Sequence, residues 1–132
     1  MKDLLCDQFQ ESVAEYLIRH RSILDVMAKL QEANARVNRA VTKAVTSCGC
    51  IKITAEKQQV PADITLDQIK DHMQDHVSGQ LCEHCRDVVE AEIGNTLFYL
   101  AALSNILDLN LYDMMLKEHK KLTALGVFNF AD

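Results

Sequence analysis

Four of the chain's five cysteines fall into two close pairs, Cys48-Gly49-Cys50 and Cys82-Glu83-His84-Cys85. Each pair supplies two soft sulfur ligands on a short turn, half of what a tetrahedral metal site needs, and a fold-back of the segment 51–81 would complete the set. Zinc is the leading occupant, because all four ligands are thiolates and the long segment between them needs a staple. An iron–sulfur cluster, a redox dithiol and ordinary buried thiols would use the same residues. His84 lies between two ligands and could replace only one cysteine. His72 and His76, spaced i and i+4 with Asp71 and Asp75 beside them, also have ligand spacing and read as a surface pair. Cys6 reads as a helix-face thiol and His119 as a solvated side chain.

A second set of residues suits harder chemistry. Glu92 and Asn95 stand at i and i+3 on one helical face, with Tyr99 on the next turn of that side. Gln31, Glu32, Arg36 and Asn38 form a polar set inside an earlier apolar stripe. Two helices that each turn an acid inward can assemble a site for a divalent cation, since a carboxylate entering a bundle needs a base or a metal. The alternative is solvation: Glu32 and Arg36, at i and i+4, also suit an exposed ion pair. Lys117, Lys120 and Lys121 cluster late in the chain, where they complement the negative end of a helix.

These residues need elements to hold them. Val13, Leu17, Leu24, Met27, Leu30, Val37, Val41 and Val45 recur mostly at three- and four-residue spacings, which predicts two helices, about 3–19 and 23–46, separated by a break or a kink at Arg19-His20-Arg21-Ser22. Ser22 with Asp25 has the pattern of an N-cap and an acidic first turn. Gly49, Pro61 and the β-branched Ile51-Lys52-Ile53-Thr54 predict an irregular loop over 47–64 that carries at most one short strand. Thr65 with Gln68 reads as a capping box opening a helix to about Val77, ended near Ser78-Gly79. A long helix is expected from Leu81 to Leu107, apolar on nearly every side in its second half, then a turn at Asp108–Asn110 and a last helix that Gly126 ends.

Composition limits the function classes. The 132 residues with 48% hydrophobic content suit one domain over 1–132. A formal charge of −5, with bases scattered along the chain, argues against a nucleic-acid partner. The early acids Asp3 and Asp7 interrupt any leader-like apolar run, and no segment reaches a membrane span, so a cytoplasmic location with reduced thiols and no membrane partner is expected.

The segment from Glu90 to Leu122, opening Glu90-Ala91-Glu92-Ile93-Gly94-Asn95 and continuing through an apolar run, a short turn and a basic helix, resembles the second half of the MazG-like nucleoside triphosphate pyrophosphohydrolases. Leu30-Gln31-Glu32-Ala33-Asn34-Ala35 is the matching stretch for the family's earlier E-E-x-x-E motif. The resemblance implies an all-α fold, a four- to five-helix bundle of MazG-like type, here with the loop stapled by a four-cysteine metal site. It makes Glu32 and Glu92 the surviving metal-binding acids, with Gln31, Ala35 and Asn95 standing where the family has carboxylates. It implies a nucleotide or related phosphorylated small molecule as ligand, supported by Asn38, Lys117 and Lys121, and Mg²⁺- or Mn²⁺-assisted release of pyrophosphate that is weak, altered or lost. The cysteine pairs are foreign to the family's motifs. The bulk of apolar surface on the long helix further leads us to expect a homodimer or higher assembly. The competing expectation is a non-catalytic helical interaction module stabilised by zinc.

Overall fold

The structure, a computed structural model, describes residues 2–126. It is mostly helical: α1 (Lys2–Tyr16), α2 (Ile23–Lys43), α3 (Glu83–Ile106) and α4 (Leu111–Leu125). Helix α1 ends earlier than its apolar pattern. Arg21 folds back so that its guanidinium donates to the carbonyl oxygens of Ala14 and Leu17, and His20 takes a left-handed φ of 52°. The break before α2 is therefore a true turn. Ser22 caps α2 as expected, its hydroxyl accepting from the Leu24 amide at 3.3 Å. Helix α2 then widens into a π turn, Ala44–Cys48, which Gly49 closes in left-handed conformation with its N–H on the Ala44 carbonyl.

The expected helix over 65–77 is not formed. Thr65 and Gln68 do make the capping box, but it opens only a 3₁₀ stretch, Leu66–His72, with no buried residue. Among the described residues none in that segment is buried, and a short helix without a packed face has little to hold it. Past it the chain extends, His76 adopts a φ of 62°, and Val77–Gly79 forms strand β2. This strand pairs antiparallel with β1 (Ile51–Ile53) in the register Ile51↔Gly79, Lys52↔Ser78, Ile53↔Val77. The fold is thus a helical bundle with one two-stranded ribbon inserted between α2 and α3, and His72 and His76 do not share a helical face. Gln58 braces the ribbon's outer end: its side-chain amide accepts from the Gln74 amide and donates to the Gln74 carbonyl, both at 2.9 Å.

Helices α2 and α3 form the main packed pair, α1 lies on α3, and α4 lies on α1. One core joins Val13, Val26, Ala101 and Ala102, with Phe9, Leu17, Phe98 and Leu103 packed around it. Since Val26 opens α2 while Ala101 ends α3, the two helices run antiparallel. Fully burying Val13 and Val26 contributes about 1.5–3 kcal/mol each. A second core, Ala44, Ile51 and Cys85, lies at the ribbon end of the same pair. The α3–α4 turn is fixed from α1: buried Gln10 donates to Asn105 Oδ1 and the Leu109 carbonyl and accepts from the Leu111 amide, while Asn105 donates to the Gln10 carbonyl. No described helix is long and apolar enough to cross a membrane.

Candidate metal centre and the adjoining groove

The two cysteine pairs meet because of where the ribbon starts and ends. Cys48 closes the π turn of α2, and Cys50 immediately precedes β1; β2 leads through Gln80 and Leu81 to Cys82, the N-cap of α3. Pairing Ile51 with Gly79 therefore draws both pairs to the same end of the ribbon. That approach is close: a Cβ on Gly79, whose φ is 86°, would stand 2.6 Å from the Cys50 carbonyl oxygen.

The sulfurs of Cys48, Cys50, Cys82 and Cys85 all lie within 4.8 Å of one another, and those of Cys48 and Cys82 are 3.8 Å apart. All four are free thiols. A regular tetrahedron with metal–sulfur bonds of about 2.3 Å has edges of about 3.8 Å, so four ligands so disposed could hold a metal such as zinc. Burial is graded across the set, from exposed Cys48 through half-buried Cys50 and Cys82 to buried Cys85. His84 is not in the cluster.

The local chemistry favours at least one thiolate. The Cys85 backbone N–H points at Cys82 Sγ, 3.4 Å away, and together with the Cys85 thiol it brings the Cys82 thiol down to about 7. Cys85 is pushed up to about 12, because its thiol serves as the donor to Cys82 and because it is buried. Four full thiolates at these separations would repel one another strongly, and a single divalent cation removes that repulsion.

Next to this centre, α2 and α3 enclose an open groove of about 420 Å³. Its walls include Glu32, Arg36, Arg39 and Lys43 from α2 and Val88 and Glu92 from α3. Glu32, which is exposed, and Glu92, which is half-buried, both line this groove. Glu32 is also engaged by two cations, Lys29 Nζ at 3.2 Å and Arg36 Nη2 at 3.3 Å, which hold its carboxyl below the usual range. The exposed ion pair that the i and i+4 spacing of Glu32 and Arg36 suits is therefore formed. Asn95 and Asn38 are exposed and do not line the groove; Asn38 instead accepts the Thr42 hydroxyl through its carbonyl at 2.8 Å. Lys117 and Lys121 lie on α4, away from the groove walls, and Lys121 reaches Glu118 at 3.7 Å.

Sequence reasoning overlooked Arg39 and Lys43. The signal was there: with Arg36 they stand at i, i+3 and i+7, a cationic edge along one side of α2. Among the described residues neither has an ion-pair partner. The groove therefore presents three cations and two carboxylates, of which Arg36 and Glu32 are already paired with each other. Compared with protein-family models, curated proteins and solved structures, the chain has no match.

Proposed function

We propose that this chain is a MazG-like protein that binds a nucleotide or related phosphorylated small molecule in the α2–α3 groove, beside a structural zinc ion held by Cys48, Cys50, Cys82 and Cys85. The observation that carries the reading is the convergence of Arg36, Arg39 and Lys43 with Glu32 and Glu92 on one open groove. Arginine forks bind phosphate oxygens through paired N–H bonds, and a lysine adds a mobile charge. Glu92, with Glu32, can take one Mg²⁺ or Mn²⁺ that arrives on the phosphates. A second ion finds few ligands, since Gln31, Ala35 and Asn95 bring no carboxylate. Phosphoryl chemistry relies on charge neutralisation and an oriented water, so binding outlasts catalysis here, and hydrolysis to monophosphate and pyrophosphate is weak or lost. Zinc suits the cysteine centre because four thiolates in a closed tetrahedron match its preferred structural site. The protein partner in this reading is a second copy of the chain, seated on the Ile93–Leu97–Leu100 face of α3.

The test is a panel of nucleoside triphosphates with Mg²⁺ or Mn²⁺, read by pyrophosphate release and by Tm. A ligand at a hundred times its Kd stabilises by about 2.7 kcal/mol, a rise of several degrees in a domain of this size. We expect such a rise, lost in Arg39→Glu, and any pyrophosphate release to vanish in Glu92→Gln. If no triphosphate moves Tm and none is hydrolysed, the nucleotide reading fails and the zinc-stabilised interaction module takes its place.

A further inference from the structure

The groove and the cysteine centre share one end of the α2–α3 pair. Lys43 is the last residue of α2 before the π turn that ends in Cys48, and Val88 lies one turn along α3 from Cys85. A metal bound to Cys48, Cys82 and Cys85 would therefore tie the end of one groove wall directly to the start of the other.

The packing that otherwise joins them at this end is a small core. The core at this end consists of Ala44, Ile51 and Cys85, with Val41, Val45 and Leu81 and two further ligands, Cys50 and Cys82, packed on it, so one ligand is a core residue and two more line that core. The ribbon adds two strands of three residues each, and β2 is exposed along its whole length. A two-stranded ribbon is marginal alone in water. The core at the opposite end, built on Val13, Val26, Ala101 and Ala102, contains no cysteine and borrows nothing from the ribbon.

We infer that the ion at the four cysteines shapes the α2–α3 groove: loading it closes the groove's walls into one binding surface, and losing it loosens that end while the distal core stays folded. Ligand affinity is thereby coupled to metal occupancy through a rigid junction between two helices. The coupling to phosphate rests on the reading of the groove given above; the local loosening does not.

Zinc-loaded protein is compared with protein stripped by a chelator and dialysed, using amide hydrogen exchange and calorimetric titration with inorganic tripolyphosphate. In the stripped protein, exchange in 40–53 and 77–90 should accelerate at least about tenfold, with 10–17 and 98–104 unchanged. Tripolyphosphate affinity should fall at least about tenfold and return when zinc is restored, with Cys50→Ser behaving like the stripped protein throughout. Equal exchange in both forms overturns the inference, and so does loss of protection throughout the chain, because the distal core would then depend on the ion. Equal tripolyphosphate affinity in both forms also overturns the coupling. If loaded protein shows the expected exchange pattern but binds no tripolyphosphate, the phosphate reading fails and the metal-set junction stands.

Discussion

At the scale of single residues, two glycines separate open space from close approach. Gly49 and Gly79 both have positive φ, 81° and 86°, but a Cβ on Gly49 meets nothing within 4 Å, whereas on Gly79 it would meet the Cys50 carbonyl at 2.6 Å. An alanine at Gly49 bears only the left-handed backbone penalty, about 1–2 kcal/mol. At Gly79 that penalty adds to a clash with backbone that cannot swing aside, and relief requires prising β2 from β1 beside two ligands. We expect Gly79→Ala to cost at least about 2 kcal/mol more than Gly49→Ala in urea unfolding, and to release zinc to a chromophoric chelator more readily. Equal losses for the two variants would show that the ribbon does not position the cysteines. The same scale explains Gln10, a buried amide whose hydrogen bonds reach Asn105, Leu109 and Leu111. Its partners sit about a hundred residues away in sequence, and no local pattern announces them.

Among the elements, those with helical periodicity were legible and the ribbon was not. Apolar spacing located α1 to α4, and Ser22 and Asn110 cap their helices through side-chain oxygens that accept from Leu24 and Asp113. The cysteine spacing also foretold that a helix end and a helix start would meet, which the clustered sulfurs bear out. What escaped was β2: Val77-Ser78-Gly79 is exposed at every position, so it has no alternation to read, and the preceding capping box promised a helix that packing did not support. Only β1 carries a packing signal. Ile51 is buried against Ala44 and Cys85, and Ile53, on the same face two residues on, is 53% exposed at the ribbon's free part. Trimming Ile51 to alanine should cost about 2–4 kcal/mol and weaken zinc retention, whereas Ile53→Ala should stay within about 0.5 kcal/mol and leave zinc in place. Denaturant melts of both variants, each with its zinc content measured, check this; a costly Ile53→Ala would mean that the ribbon packs on something beyond the described chain.

For the molecule as a whole, the decisive quantity is surface. A compact monomer of 14.9 kDa exposes about 7,000 Å², yet this chain exposes 10183 Å², an excess of about 3,000 Å². A partner in a standard interface covers about 800 Å² of each copy, about a quarter of that excess. Its chemistry is apolar where it matters: Ile93, Leu97 and Leu100 recur at four- and three-residue spacings along α3 with 46%, 48% and 39% exposure. Helix α4 has no buried residue. A twofold pairing of α3 faces would bury this stripe against itself, since a closed dimer uses the same patch on both copies. Sedimentation equilibrium should therefore give twice the chain mass for the native protein. Leu97→Glu sets two carboxylates against each other at the centre of that face and should give the single mass, with metal content intact because the cysteine centre lies more than three turns away along α3. A native protein that sediments at the single mass would leave the excess surface without its cover and refute the dimer.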